Sequence, residues 1–285
     1  ALKSCEVDFN NPPPIAQMIV SVNDVPLGTQ GNLLCITGGE GTGKSNYVAA
    51  LIAGAIRPSG TDVDALGDAY EYLIGQFAAG SGKKAGEFYT PRAIVKLMVD
   101  LLDPRPGETV YDPACGTGGM LIEAIHHINN DHLTWGKIFG QENNLSTSAI
   151  ARMNLFLHGA SDFKVAQGDT LRTPKFIEHG QLQKFNCVLA NPPFNISDWG
   201  QENIKDDDRW LYGVPPKGNA NYGWLQHILS KLSHNGVAGV VLANGSLSTS
   251  TNEELIIRKG MLEADKIDAI VALPEKLFYT TGIPV

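Results

Sequence analysis

One short stretch beyond the middle of the 285-residue chain fixes the point at which a buried strand must end. The apolar run 187–190 predicts a buried β-strand, and Asn191 ends it abruptly. Pro192 and Pro193 follow, and since proline lacks a backbone N–H, neither can continue the pairing of a central strand. The sequence therefore predicts an amide side chain and the ring of Phe194 at the carboxyl edge of a sheet, where open α/β folds bind ligands.

The chemistry of this turn suits a planar amine. The side-chain oxygen of Asn191 and the backbone carbonyl of Pro192 can each accept one N–H of an exocyclic amino group, and Phe194 can stack on the heterocycle that carries it. These groups could hold a flipped adenine while its N6 nitrogen is methylated. The alternative is an ordinary tight turn after a strand, with the ring of Phe194 packed in the core.

Apolar strand patterns alternate with helical patterns from residue 108 onward. This alternation predicts an α/β fold with a mostly parallel sheet and helices on both faces. A long polar segment, residues 195–222, is expected to form a loop over the site. Strands are predicted at 108–111, 137–141, 163–166, 185–190, 237–243 and 267–273, and helices at 61–79, 93–102, 120–129, 143–158, 222–232 and 253–264.

Three successive predicted strands end in acidic or glycine-rich turns. The first leads from Asp112 into a glycine-rich loop, which allows a sharp turn and close approach of a ligand to the backbone. Glu142 ends the second strand and can accept both hydroxyls of a ribose, while Asp169 follows the third and can accept an adenine amino group. For Glu142 or Asp169 taken alone, a helix N-cap is the favoured interpretation, but three such strand ends in a row favour a ligand site.

Residues 38–45 match the phosphate-binding pattern G-x-x-x-x-G-K-S in full, between a strand-like run and a helical pattern. Gly43, Lys44 and Ser45 are the predicted phosphate-binding residues. ATP with Mg²⁺ is a less favoured ligand, because the first 60 residues contain no partner aspartate at the end of an apolar strand. We expect an incomplete P-loop unit without ATPase activity.

Composition narrows the classes of protein that the chain can represent. A net charge of -8 argues against a protein that grips DNA alone, so another subunit or a local basic patch would have to contact the phosphates. The four cysteines have no Cys-x-x-Cys spacing, so no metal site is predicted and a reduced, cytoplasmic protein is expected. No run is long enough to span a membrane, and no signal peptide is visible.

Four motifs together carry a resemblance to a known family: Glu87-Phe88-Tyr89-Thr90-Pro91, Asp112-Pro113-Ala114-Cys115-Gly116-Thr117-Gly118-Gly119, Gly140-Gln141-Glu142 and Asn191-Pro192-Pro193-Phe194. With these motifs, residues 61–285 resemble the modification subunit of type I restriction–modification systems, an S-adenosylmethionine-dependent methyltransferase of adenine N6 in DNA. The resemblance implies a Rossmann-like methyltransferase fold and S-adenosylmethionine as cofactor. It also implies double-stranded DNA, a specificity subunit, a restriction subunit and a second copy of the modification subunit as partners.

The same resemblance assigns roles to individual residues of this chain. The implied catalytic residues are Asn191, Pro192, Pro193 and Phe194. The implied cofactor-binding residues are Glu87, Phe88, Tyr89, Thr90, Pro91, Asp112, Ala114, Gly116, Thr117, Gly118, Glu142, Asn143, Asp169, Thr170 and Asn191.

Three parts are expected along the chain. Residues 1–60 form a partial P-loop segment, residues 61–106 a helical lead-in with the cofactor-flanking motif, and residues 107–285 a catalytic domain truncated at its C-terminal end. The family resembled normally has a larger helical domain before residue 61 and a further strand and helices after the final Gly-Ile-Pro.

Three alternative functions remain open at this stage. The Asn-Pro-Pro-aromatic motif also occurs in methyltransferases of glutamine in proteins or guanine in RNA, although the motif at 87–91 and the long loop argue against those. The chain could instead be a P-loop nucleotide-binding protein with a second binding module. It could also be an inactive domain that binds cofactor without methylating.

Overall fold

A computed structural model describes residues 90–128, 137–160, 162–248 and 251–273, together with the backbone of a short hairpin formed by Ser21–Val22 and Val25–Pro26. The predicted helix at 61–79 lies outside the described residues, as do the predicted site residues Glu87, Phe88, Tyr89, Gly43, Lys44 and Ser45.

Five parallel strands form the central sheet of the described region. These are β1 Val110–Asp112, β2 Ile138–Glu142, β3 Phe163–Gln167, β4 Phe185–Ala190 and β5 Leu232–Val240. Their spatial order is β3–β2–β1–β4–β5, and every neighbouring pair is parallel. The chain order reverses between β1 and β4, which creates a crevice at their carboxyl ends of the kind that binds ligands in open α/β sheets.

Helices follow most of the strands. The helix Arg92–Leu102, α1, precedes the sheet and has its buried residues on one face. The Asn144 side chain caps the helix Leu145–Leu157, α3, by accepting the backbone N–H of Thr147. A short antiparallel hairpin, Ile177–Glu178 with Gln181–Leu182, precedes β4. The helices are α1 Arg92–Leu102, α2 Gly119–Ile128, α3 Leu145–Leu157, α4 Asn221–Lys231, α5 Gly245–Ser248 and α6 Asn252–Glu263, and a 3-10 turn spans Gln201–Asn203.

Helices cover both faces of the sheet, as the alternation predicted. Successive strand residues point to opposite faces, so Val110 joins the core beneath α1, α2 and α3, whereas Tyr111 joins the core beneath α4. On the α4 side, the rings of Tyr111 and Phe185 stack with centroids 4.5 Å apart. Apolar residues fill both layers, which holds the carboxyl ends of the strands in fixed relative positions.

Two strand predictions need correction. The fifth strand spans Leu232–Val240 rather than 237–243, and the predicted sixth strand at 267–273 is not formed, although the structure describes those residues. Within that run, Ile270 and Val271 are 62% and 54% exposed. A β-branched apolar run favours extended backbone, but a strand also requires a neighbouring edge to pair with. Here only the ends of the run, at Ile267 and Leu273, pack on the apolar clusters.

Within the described ranges, no helix is long and apolar enough to cross a membrane. No cluster of three or more His, Cys, Asp or Glu side chains there could hold a metal ion. Cys115 and Cys187 are reduced and buried. Burial raises the pKa of both thiols, that of Cys187 to about 12, so both remain protonated at neutral pH and are poor nucleophiles.

Candidate cofactor and substrate site

The turn after β1 carries a buried carboxyl group. Asp112 is only 2% exposed, and its Oδ1 accepts the backbone N–H of Ala114 at 2.9 Å. The pKa of Asp112 is raised to about 8, chiefly by burial; the nearby Glu142 contributes to the rise, and the Ala114 N–H partly opposes it. Among the described residues, no basic side chain offsets this shift, and a cationic ligand could supply that charge.

The glycines after Asp112 bring the backbone of this turn against the end of β2. Gly116 and Gly118 have φ angles of +53° and +89°, which side chains larger than hydrogen rarely tolerate. Gly116 donates its backbone N–H to Glu142 Oε2 at 3.1 Å. Glu142 Oε1 accepts the N–H of Asn144 at 2.8 Å, so one carboxylate ties the ends of two strands together.

Glu142 keeps capacity for a ligand despite these bonds. It is 7% exposed, and burial raises its pKa. Each carboxylate oxygen can accept more than one hydrogen bond, so both oxygens of Glu142 could still accept hydroxyl groups.

Asp169 caps its own turn. Its Oδ1 accepts the backbone N–H groups of Leu171 and Arg172, each at 3.0 Å. No helix follows at this point, so these bonds close a turn and are not the helix N-cap that the sequence offered as the alternative. Oδ2 lies 3.6 Å from Arg172 Nε. The Thr170 hydroxyl donates to the Pro113 carbonyl at 2.6 Å and so joins the turn after β3 to the turn after β1.

Asn191 lies at the end of β4 with its amide only half satisfied. Its Nδ2 donates to Thr90 Oγ1 at 2.9 Å. Its Oδ1 is buried and has no hydrogen-bond partner among the residues that the structure describes. Phe194 is partly buried and packs against the core on the α1–α3 side, so part of its ring serves the packing role that the sequence offered as the alternative. The turn therefore presents one unused acceptor.

The long segment over the site is less polar in its packing than its composition suggests. Trp199 and Trp210 are buried and form an apolar cluster with Leu171 and Trp224. The two tryptophan rings meet edge to face, with centroids 5.8 Å apart. Their burial against Leu171 places the segment directly on the turn after β3.

Two arginines bond reciprocally across this contact. Arg209, in the long segment, donates from Nη1 to the Thr170 carbonyl at 3.3 Å and from Nη2 to the Leu171 carbonyl at 2.5 Å. Arg172, in the turn after β3, donates to the carbonyls of Asp198 and Trp199, each at 3.0 Å. We call Arg172 and Arg209 together the arginine pair. Sequence reasoning missed both residues; the only available signal was an arginine beside tryptophan in a polar loop.

The end of the turn that begins at Asn191 is also fixed by side chains. Asn195 has a φ angle of +55° and donates its backbone N–H to Asn221 Oδ1 at 2.9 Å. Asn221, at the start of α4, donates from Nδ2 to Asn195 Oδ1 and to Ser246 Oγ, both at 2.9 Å. Sequence reasoning missed this link, because neither asparagine belongs to a recognisable motif.

The structure brings most of the predicted site residues to one edge of the sheet, across four adjacent strands. Thr90 and Pro91 lie at the start of α1, where Thr90 contacts Asn191. At the carboxyl ends of β1 to β4 lie Asp112, Ala114, Gly116, Thr117, Gly118, Glu142, Asn143, Asp169, Thr170, Asn191, Pro192, Pro193 and Phe194.

This fold is that of the Rossmann-like methyltransferases that use S-adenosylmethionine. A Listeria monocytogenes structure described as such a class I enzyme, 14% identical in sequence, shares the fold with a TM-score of 0.54 over 84% of this chain and 82% of that one. The family model for N-6 DNA methylases matches residues 61–285, so the chain belongs to that family.

Relatives within the family are closer in sequence. The HindI type I restriction enzyme methylase subunit of Haemophilus influenzae is 43% identical over 224 residues, which cover 78% of this chain and 49% of the relative. The MjaIX methylase subunit of Methanocaldococcus jannaschii is 41% identical, with coverages of 78% and 40%. The methyltransferase subunit of a type I system from Streptococcus thermophilus is 39% identical, with a TM-score of 0.69 and coverages of 77% and 47%. The chain thus spans half or less of the length of these relatives.

Proposed function

We propose that this chain carries the catalytic site of a DNA adenine-N6 methyltransferase, the modification subunit of a type I restriction–modification system. The observation that carries the proposal is the unpartnered Oδ1 of Asn191, held at the end of β4 beside the acidic strand ends. Membership of the N-6 DNA methylase family supports it, as do the names of the relatives.

The groups at the strand ends fit S-adenosylmethionine. That cofactor has a positively charged sulfonium and ammonium group, a ribose diol and an adenine amino group. Asp112 and Glu142 are buried carboxyl groups with raised pKa values, so a cation beside them would stabilise their ionised forms. When bound, S-adenosylmethionine supplies an activated methyl group.

Each acidic residue has a separate proposed role in holding this cofactor. Asp112, with the backbone of Gly116 and Gly118, would hold the methionine portion. Glu142 would accept the ribose hydroxyls through its remaining lone pairs. Asp169 would accept the adenine amino group through Oδ2, because Oδ1 is engaged in the turn.

The residues of the catalytic turn would act on the acceptor amine. The N6 lone pair of adenine is delocalised into the ring, so this nitrogen is a weak nucleophile. Hydrogen bonds from the amine to Asn191 Oδ1 and the Pro192 carbonyl would favour a pyramidal, more nucleophilic nitrogen, and Phe194 would support the base by stacking. Positioning contributes much of the remaining rate enhancement. A covalent enzyme intermediate is unnecessary, in keeping with the protonated cysteines.

The proposed partners follow from the relatives and from charge. One related structure, 29% identical, concerns complex assembly and conformational transition of the type I restriction–modification system. We therefore propose a specificity subunit, a second modification subunit and a restriction subunit as partners, with double-stranded DNA as substrate. The net charge of -8 agrees with an arrangement in which another subunit makes most phosphate contacts.

The experiment is methyl transfer from labelled S-adenosylmethionine to duplex DNA. The full-length protein, assembled with its specificity subunit, should place the label on adenine N6 when the product is digested to nucleosides. Asn191→Ala should reduce the rate of labelling by about 10³-fold. Asn203→Ala, at an exposed asparagine in the 3-10 turn, should leave that rate near the wild-type value. Label on cytosine, on RNA or on a protein glutamine would contradict the proposal.

A further inference from the structure

Thr90 contacts the catalytic turn across a sequence separation of 101 residues. Its Oγ1 accepts a hydrogen bond of 2.9 Å from the side-chain amide of Asn191. Thr90 directly precedes Pro91, whose carbonyl accepts the N–H groups of Ile94 and Val95 at the start of α1. The side chains of Ile94 and Val95 are buried in the core beneath α1, α2 and α3, so the position of Thr90 is set by the well-packed start of α1.

The contact distinguishes the two ends of the Asn191 amide. An asparagine amide has a donor end and an acceptor end of nearly the same shape, and a rotation of about 180° exchanges them. With Nδ2 bonded to Thr90, the acceptor end is the one left over. That oxygen is buried and unpartnered among the described residues, which is unfavourable until a donor arrives.

We propose that Thr90 is a positioning residue for methyl transfer: its hydroxyl holds the Asn191 amide so that Oδ1 stays available to the amine that is methylated. The inference rests on the proposed function, since that function supplies the amine. It differs from the role that the sequence motif implied for Thr90, which was contact with the cofactor. A contact with the cofactor would change cofactor affinity, whereas positioning of Asn191 would change the transfer step.

Two substitutions separate the hydroxyl from the shape of the side chain. Thr90→Val replaces the hydroxyl with a methyl group and keeps the volume, while Thr90→Ser keeps the hydroxyl and loses the methyl group. In single-turnover assays of the assembled enzyme, Thr90→Val should slow transfer by roughly tenfold or more, and Thr90→Ser should stay within about threefold of wild type. Dissociation constants for S-adenosylmethionine, measured by calorimetry, should stay within about twofold for both variants.

A double-mutant cycle tests whether Thr90 acts through Asn191. If it does, adding Thr90→Val to Asn191→Ala should cause no further loss of rate, because the amide that Thr90 holds is already gone. Equal impairment of Thr90→Val and Thr90→Ser would overturn the inference, as would additive losses in the cycle. A wild-type transfer rate in Thr90→Val would also overturn it. Weaker cofactor binding with unchanged transfer would overturn it as well and would show that Thr90 contacts the cofactor, as the sequence motif implied.

The wild-type product separates failure of this inference from failure of the proposed function. If the enzyme methylated an acceptor other than adenine N6, the proposed function would be wrong, and the same cycle would then be run with that acceptor. A readout without turnover decides the matter if no acceptor is found. The side-chain amide signals of Asn191 in a ¹⁵N NMR spectrum, identified by their loss in Asn191→Ala, should shift in Thr90→Val and stay near their wild-type positions in Thr90→Ser. Unchanged signals in Thr90→Val would overturn the inference.

Discussion

The proposed cofactor side and the proposed substrate side of this site lie at one edge of one sheet. The first combines local hydrogen bonds with links between strand ends, from Gly116 to Glu142 and from Thr170 to Pro113, whereas the second is held by the long-range links of Asn191 and Asn195. On the cofactor side, Asp112 and Asp169 each accept a backbone N–H from two residues further along the chain. On the substrate side, Asn191 is held from 101 residues away and Asn195 from 26. The local bonds belong to short motifs, whereas the long-range links exist only once the sheet has formed.

The two sides also differ in what they leave unsatisfied. The cofactor side contains carboxyl groups whose pKa values are raised by burial. The substrate side buries a neutral oxygen that lacks a donor among the described residues. A cation complements the first side and an amine complements the second, so the two sides should respond separately to substitution.

The largest expected effect is on the substrate side. Asn191→Ala removes an acceptor whose bond to the amine should strengthen as the nitrogen becomes pyramidal, so single-turnover transfer should fall by about 10³-fold. Cofactor affinity, measured by calorimetry, should be nearly unchanged. Phe194→Ala should slow transfer less and also lower the melting temperature, because the ring packs against the core. Undiminished transfer by Asn191→Ala would make this motif a structural turn.

The next effect is on the cofactor side. Asp112→Asn keeps the shape of the side chain and its capacity to accept the Ala114 N–H, but removes the charge. Affinity for S-adenosylmethionine should fall by about 10²-fold, because a buried charge interaction with the cofactor is lost. Transfer at saturating cofactor should fall much less. The comparison between the two sides would break down if Asp112→Asn slowed transfer without weakening cofactor binding.

The arginine pair tests how strongly the long segment is joined to the turn after β3, which carries Asp169. Arg209 and Arg172 each donate to two backbone carbonyls across the same contact, but their side chains are 2% and 51% exposed. Arg209→Ala should therefore reduce the free energy of unfolding by about 2–4 kcal/mol, because buried acceptors and Asp207 lose their partner. Arg172→Ala should cost about 0.5–1 kcal/mol.

Urea denaturation at neutral pH would measure both changes. Arg209→Ala should also weaken cofactor binding several-fold, because the turn that carries Asp169 loses its support; Arg172→Ala serves as the matched control. Equal losses for the two variants would show that burial does not decide the strength of this link.

The difference between local and long-range contacts also explains which features could be predicted from the sequence. The five central strands and the helices around them follow from local apolar periodicity, and the acidic strand ends follow from motifs a few residues long. Family membership and the fold confirm the interpretation drawn from those motifs. The roles of individual site residues stay predictions.

What could not be predicted depends on partners distant in the chain. The run at 267–273 has the composition of a strand, but no local signal shows whether a pairing edge is present. The segment at 195–222 has no apolar period, so the burial of Trp199 and Trp210 was invisible in it. The links of Asn195 to Asn221 and of Thr90 to Asn191 join side chains that only the folded sheet brings together.

The smallest effects expected are those of pH, and the first of them is on the stability of the fold. In the unliganded fold the pKa of Asp112 is about 8, against an ordinary value of 3.8 in the unfolded chain. Between those two values the unfolded chain has lost the proton and the folded chain retains it, so this group makes folding less favourable as pH rises toward about 8. Asp112→Asn should remove that decline, and its melting temperature should exceed that of the wild-type protein most clearly at alkaline pH.

Binding of the cofactor should show the opposite trend. The ionised carboxylate is the form that attracts a cation, so affinity should rise several-fold as pH increases from about 6 to about 8. At the lower pH, binding should release up to about one proton, because the bound cation lowers the pKa of Asp112. Calorimetry in two buffers of different ionisation enthalpy measures that release directly, and Asp112→Asn, which has no such proton, is the control. Proton release of equal size in the variant would assign the titration to another group, of which Glu142, also buried and raised in pKa, is the next to test by Glu142→Gln.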